Sequence, residues 1–162
     1  MISAMDAKRW IWIKWKLPWS YPEDIERFRE MIAWEIVVMW KWTYDSLKKY
    51  YPNSNWHPKA SNNIVLSKTL DISWVEIYRD PQDIIENYKE SLLMIIWWWE
   101  TYEAFLPYAD ELYLTQINEA FICDVFFPEY ERLFKKVEEE SWIDPNLRFE
   151  RWVRKDSKVV SG

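Results

Sequence analysis

One carboxylate in this sequence sits among apolar side chains. Along the stretch 23–33, at about 100° per residue, Phe28 falls about 40° from Asp24, Met31 about −20°, and Ile25 and Ile32 about 80–100°. Asp24 therefore shares the apolar arc of an amphipathic helix. Held in an apolar cleft, such a group is desolvated, its pKa rises, and it becomes useful for moving protons. The plainer reading is a first-turn carboxylate favoured by the helix dipole with its head in water, and the pattern alone leaves both open. Residue supply excludes other chemistries. A single cysteine, Cys123, rules out an internal disulfide, and a single histidine, His57, rules out a His-cluster metal site. No metal is expected.

The elements that must position Asp24 follow from alternating patterns. Runs at 36–39, 63–67, 75–78, 92–96 and 112–115 are apolar and short, as buried strands are. Helix candidates lie between them at 23–33, 43–50, 82–89 and 101–105, the first with Pro22 at its entry and Glu23 and Asp24 in its first turn. Strand–helix alternation predicts an α/β fold with a mostly parallel sheet and helices on both faces. The alternating stretch 147–154 suits a late antiparallel strand. A polar loop is expected at 52–63, one domain over 1–155, and a frayed tail over 156–162.

With 162 residues the chain can bury a sizeable core. It is 49% hydrophobic and 30% charged, the balance of a soluble protein rather than a disordered one. A net charge of −6 gives no footing for nucleic acid, which wants a basic face. The longest apolar run, 92–99, is far short of the roughly 20 residues of a membrane span, and Met1-Ile2-Ser3 opens no signal-peptide pattern. A cytoplasmic monomer without nucleic-acid or membrane partners is the expectation.

Glycine is nearly missing. Globular proteins average about 7% glycine, because tight turns and close backbone approaches need a residue without a Cβ. Here Gly162 is the only one, against 14 tryptophans. Tryptophan stands where glycine is wanted, at Trp12, Trp15, Trp34, Trp40, Trp74 and the run Trp97-Trp98-Trp99.

Several blocks carry a family resemblance. Ile11-Trp12-Ile13-Lys14-Trp15-Lys16-Leu17-Pro18-Trp19, followed by Pro22, Asp24 and Phe28, resembles the dihydrofolate reductase signature I-G-x-x-G-x-L-P-W with its downstream Asp and Phe. Val37-Val38-Met39-Trp40-Lys41-Trp42-Thr43-Tyr44 resembles V-V-M-G-R-x-T-[YW], and Asn63-Ile64-Val65-Leu66-Ser67-Lys68 resembles N-I-V-L-S-R. Ile95-Ile96-Trp97-Trp98-Trp99-Glu100-Thr101-Tyr102 resembles V-I-G-G-x-x-[IVL]-Y. Leu112-Tyr113-Leu114-Thr115 and Asp124-Val125-Phe126-Phe127-Pro128 are similar to L-Y-L-T and D-T-x-F-P. The blocks fall in family order from about Ala4 to Arg154. At Trp12, Trp34, Trp40, Trp97 and Trp98 the family carries glycine, whereas at Trp19 it carries tryptophan. A UGA codon read as glycine in one lineage and as tryptophan in another would produce this selective exchange, as would deliberate substitution. Indoles at such close-packed sites are expected to overpack.

The resemblance implies a single-domain fold of that family and reduction of 7,8-dihydrofolate to tetrahydrofolate with NADPH. Asp24 would hydrogen-bond the pteridine and favour protonation at its N5, with Thr115 supporting the network. Trp19 and Leu17 would lie on the loop covering the nicotinamide. Phe28 would stack on the substrate, with Ile2, Ala4, Leu47, Ile96 and Tyr102 lining its pocket. For the cofactor the resemblance implies Ala4, Ile11, Trp12, Trp40, Thr43 and the stretch Trp97, Trp98, Trp99, Glu100, Thr101 and Tyr102, whose first amides would face the pyrophosphate. Lys41, Ser67 and Lys68 would meet the 2′-phosphate, although a lone lysine is usually just solvated. A cis peptide is implied between residues 97 and 98.

The chain also departs from the pattern. Ser61 occupies the place of an arginine that grips the folate glutamate, where Lys59 would offer only a point charge. Cys123 stands where glycine is frequent. Two rival readings stay open: a reductase of the same fold acting on a riboflavin-pathway pyrimidine, and an inactive tryptophan-rich product of altered decoding.

Overall fold

The computed structural model describes residues 1–13, 17–50 and 60–155. Trp15, Trp56, His57, Lys59 and the expected tail at 156–162 lie outside the described residues, as does most of the expected polar loop. The chain divides into two compact units: Met1–Tyr21 together with the stretch from Leu106 onward, and Pro22–Phe105.

In chain order the strands are β1 (Ile2–Asp6), β2 (Trp10–Trp12), β3 (Ile36–Trp40), β4 (Asn62–Leu66), β5 (Glu76–Tyr78), β6 (Leu93–Ile95), β7 (Glu111–Ile117), β8 (Val125–Phe126), β9 (Phe134–Ser141) and β10 (Leu147–Arg154). The helices are α1 (Pro22–Met31), α2 (Lys41–Tyr50), α3 (Pro81–Asn87) and α4 (Trp99–Phe105), with a 3-10 turn at Leu106–Tyr108.

The second unit is built on an all-parallel sheet in the order β5-β4-β3-β6. Val37, Val38 and Met39 on β3 and Ile64, Val65 and Leu66 on β4 are buried at consecutive positions. That is the mark of strands covered on both faces. Each such side chain contributes roughly 1.5–3 kcal/mol by leaving water. Parallel pairing sets Trp40 opposite Leu66 and Val38 opposite Ile95, so the carboxyl ends of these strands lie along one edge. Among the helices, α3 is the best punctuated. Asp80 accepts from the Gln82 amide at 2.8 Å, Pro81 opens the first turn, and Tyr88 closes the helix by donating its amide to the Ile84 carbonyl.

The first unit holds a mixed sheet, β1-β7-β10-β9, and a short antiparallel pair, β2-β8. β1 runs parallel to β7, while β10 is antiparallel to both β7 and β9. The predicted antiparallel C-terminal strand is therefore present, and the α/β class holds. β9 has no apolar alternation: only Phe134 is buried, and the other seven residues are exposed. Its Lys and Glu side chains on an outer strand guard the sheet against further pairing. Glu111 ties β7 to β10, because Arg151 donates to its carboxylate through Nε at 2.8 Å and Nη2 at 2.9 Å, and Tyr113 donates its hydroxyl at 2.7 Å.

Several boundaries differ from the sequence expectation. The first helix ends at Met31 rather than Ala33, because the Ala33 amide turns to the Glu30 carbonyl and Trp34 follows at φ 68°. Trp97 and Trp98 adopt φ values of 32° and 88°. A left-handed backbone costs a residue with a Cβ about 1–2 kcal/mol. The expected overpacking is not general: Trp34 is 76% exposed, and its burden is in the backbone rather than in a crowded ring. The peptide between Trp97 and Trp98 is trans, which corrects the cis geometry implied by the resemblance.

The bidentate Arg151 contact lowers the Glu111 pKa to about 2. A depressed carboxylate pKa contributes stability above the unfolded value of about 4.3 and loses it as pH falls toward about 2. Glu111→Gln should therefore flatten the acid limb of the stability profile across that window. Both partners are one-third exposed, so the expected effect is about 1 kcal/mol, checked by urea unfolding at stepped pH.

Candidate active site

The residues singled out from the sequence divide between the two units. In the second, α1 carries Asp24 in its first turn and Phe28 four residues on, so the two share a helix face. Both are half-buried. Leu47 on α2 is buried, as are Ile96 and Tyr102 on either side of the β6–α4 turn. The Ile96 amide donates to the Val38 carbonyl at 3.0 Å and so prolongs the β3–β6 pairing by one residue. Thr43, in the first turn of α2, donates its hydroxyl to the Trp97 carbonyl at 3.3 Å. The structure thereby joins two of the expected cofactor stretches.

The β6–α4 turn is held from within. The Trp98 carbonyl accepts from both Thr101 and Tyr102 amides at 3.1 Å, which starts α4. The earliest amides of such a helix have no carbonyl partner within it and favour an anion. Thr101 Oγ1 is fully buried without a hydrogen-bond partner among the described residues. The Trp97 indole lies over Phe28 with ring centroids 4.9 Å apart and planes 9° from parallel. A planar ligand stacks on that face of Phe28 only when the indole vacates it.

Along the carboxyl edge of the parallel sheet, basic side chains succeed three adjacent strands. Lys41 comes directly after β3 and pairs with Asp45 one turn further along α2. Lys68 comes two residues after β4 and is exposed. Arg79 comes directly after β5 and donates to the Ser67 carbonyl at 2.5 Å. Sequence reasoning missed Arg79; a cation one residue past a short strand was its sole signal. The fourth strand, β6, leads into the start of α4. In open α/β sheets the crevice outside the strand carboxyl ends is where ligands bind. This donor set, three cations beside a helix start, fits a phosphorylated dinucleotide. Ser67 is buried, and its hydroxyl accepts from the Thr69 and Leu70 amides at 3.3 and 2.9 Å, which leaves its own O–H to donate. Trp40 is half-buried at the end of β3.

In the first unit, Ala4 on β1 pairs with Thr115 on β7, and Thr115 is buried. Ala4 and Leu17 pack against a cluster of Trp19, Ile117 and Leu147. The Trp19 ring meets Phe121 at 5.3 Å, and its Nε1 is buried with no acceptor among the described residues. An unmet buried donor costs about 1–3 kcal/mol unless water or a ligand accepts from it. Ile2 and Ile11 are core residues, and Trp12 is half-buried on β2. Ser61, in the place of the tail-binding arginine, is exposed and gives its amide to the Glu35 carbonyl. Among the described residues no group of three or more His, Cys, Asp or Glu is placed to hold a metal. No described helix is long and apolar enough to cross a membrane.

A sequence model of the family described as dihydrofolate reductase matches residues 1–153. The chain belongs to the dihydrofolate reductase family. It is 31% identical to the dihydrofolate reductase of Bacillus subtilis over 135 residues, covering 80% of this chain and 75% of the relative. It is 29% identical to that of Buchnera aphidicola over 160 residues, covering 93% and 95%. In fold it is similar to dihydrofolate reductase from Enterococcus faecalis complexed with NADP(H) and RAB-propyl, with a TM-score of 0.79 and 24% identity over 96% of this chain and 95% of that one. That likeness confirms a dihydrofolate-reductase-like fold.

The turn role of Ser67 has a direct test. Ser67→Ala leaves the amides of exposed Thr69 and half-buried Leu70 without their acceptor, at a cost of about 1–2 kcal/mol. The melting temperature of the ligand-free protein should fall by roughly 2–8 °C. An unchanged melting temperature would remove the hydroxyl from the turn.

Proposed function

We propose that in this dihydrofolate reductase Asp24 is the carboxylate that reads and orients the substrate pteridine during its NADPH-dependent reduction to tetrahydrofolate. The observation that carries this reading is the helix face shared by Asp24 and Phe28, one polar and one flat aromatic group on the same side of α1. An ionised carboxylate accepts from a 2-amino group and an adjacent ring N–H together, a two-point contact that fixes a flat heterocycle in its plane. With those donors engaged, electron density at N5 rises and the proton is taken up there, next to the carbon being reduced. Phe28 supplies the stacking surface, and Leu47, Ile96 and Tyr102 supply apolar walls. In the first unit, Thr115, paired to Ala4, and the buried Trp19 indole N–H are the polar groups proposed to serve the reaction.

When bound, NADPH supplies the hydride. The residues proposed to hold it are those along the carboxyl edge of the parallel sheet: Lys41, Thr43, Lys68 and Arg79 for phosphate charge, and the first turn of α4 for the pyrophosphate. Ser67 acts there through the turn that presents Lys68. In the first unit, Ile11, Trp12, Leu17 and Trp19 are the residues proposed to exclude water during the reaction. The reading is of a cytoplasmic monomer acting on a small molecule.

Two experiments test these assignments. Asp24→Asn should lower kcat/KM for dihydrofolate by about 10²–10⁴-fold while NADPH affinity, read by fluorescence, stays the same. Retained turnover would remove Asp24 from the reaction, and turnover of a ribosylamino-pyrimidine in place of dihydrofolate would overturn the substrate. Lys68→Met should raise KM for NADPH by roughly 10-fold and leave that for NADH unchanged, because a charged hydrogen bond to the 2′-phosphate is lost.

A further inference from the structure

Four described residues other than glycine have positive φ, and three of them are tryptophan: Trp34 at 68°, Trp97 at 32° and Trp98 at 88°, beside Arg9 at 64°. Tryptophan makes up 14 of the 162 residues, so chance would put fewer than one among four. Bulky side chains are the least suited to this region, which is populated by glycine and, less often, by Asn and Asp. Yet the chain's only glycine is Gly162. All three positions are turns of the kind glycine serves. Trp34 comes after the closing bonds of α1, where the Ile32 and Ala33 amides reach the Phe28 and Glu30 carbonyls, a helix stop that favours a left-handed residue. Trp97 and Trp98 form the reversal between β6 and α4.

Two other tryptophans are held by their rings in ordinary backbone. Trp152 lies in extended backbone on β10, donates its indole N–H to Glu150 at 2.8 Å, and meets the Tyr130 ring edge-on. Trp19 fills a packed cluster. Neither has positive φ. Arg9 is a different case, because Asp6 holds its turn by accepting from the Lys8 and Trp10 amides.

We infer that positions 34, 97 and 98 are glycine in the polypeptide the source cell makes, each encoded by a UGA codon that its ribosomes read as glycine. The inference rests on backbone conformation and composition and is independent of the pteridine assignment. It has a consequence for the site all the same. Without a ring at 97 the stacked face of Phe28 is open to a flat ligand, and without Cβ atoms at 97 and 98 the approach to α4 is bare backbone. The indole over Phe28 is then a substitute occupant rather than part of the enzyme.

The gene decides the point. Codons 34, 97 and 98 should be UGA, whereas codons 19 and 152 should be UGG; UGG at all five overturns the inference. The intact mass of protein isolated from its own cells should fall below 20.1 kDa by at least three tryptophan-to-glycine differences, and a mass of 20.1 kDa overturns it equally. The conformational premise is tested at the exposed position, where no core is disturbed. Trp34→Gly should melt about 2–4 °C above Trp34→Ala, reversing the usual order of these two residues. An alanine variant as stable as the glycine one would sink the premise. None of these readouts uses dihydrofolate or NADPH.

Discussion

The parallel register of β3 with its neighbours is the constraint on which the proposed cofactor edge depends. Pairing Trp40 with Leu66 and Leu66 with Tyr78 ends β3, β4 and β5 at one level, and β6, with Ile95 opposite Val38, ends two residues short of it. The residues just past each strand are thereby brought to one rim, although Lys41, Lys68, Arg79 and the start of α4 are far apart in sequence. A one-residue slip of any strand would reverse its faces and break this alignment. Val37, Val38 and Met39 are buried at consecutive positions, so β3 has no polar face to offer water.

Where the chain could be read from its residues, burial was the reason. β3, β4 and β10 lie within a residue of the expected positions because apolar runs and alternation report directly on which side faces the core. β9 was invisible, since Phe134–Ser141 is mostly charged and becomes a strand only by pairing along β10. The early end of α1 was missed for a different cause. A reader looking for glycine as the stop finds Trp34, and tryptophan carries no such signal. For the candidate site, the shared helix face of Asp24 and Phe28 was legible because both are set by one helical period. Arg79 was not, because its relation to Ser67 exists only after β4 and β5 pair. The turn role of Ser67 was hidden in the same way: nothing in sequence shows that a hydroxyl will accept two amides of its own turn.

The β6–α4 turn is where fold and chemistry compete. A reversal this tight, with the Trp98 carbonyl starting the helix and the Trp97 carbonyl receiving Thr43, fixes both carbonyls and leaves side chains wherever φ sends them. At φ 32° the Trp97 ring lands on Phe28, the flat surface that the substrate reading requires. Stacked aromatic pairs are worth about 0.5–1.5 kcal/mol beyond area burial. A pteridine replacing the indole must first offset that stack, a cost of up to about tenfold in affinity that would fall on binding rather than on the chemical step.

The contrast between the two ends of the tryptophan distribution bears on how stability is shared. Trp152 engages through its ring, its N–H and Glu150, while Glu150 is in turn buried against Lys136 at 3.0 Å. Removing that indole would leave a buried carboxylate short of a donor. Removing the Trp34 ring leaves nothing unmet, because the residue is mostly in water and its strain lies in φ. The same residue type therefore supports the fold at one site and burdens it at another, and what separates them is backbone conformation rather than hydrophobicity. Substitution by size or polarity scales alone would rank these two positions together, whereas the dihedral angle and the fate of the indole N–H rank them at opposite ends.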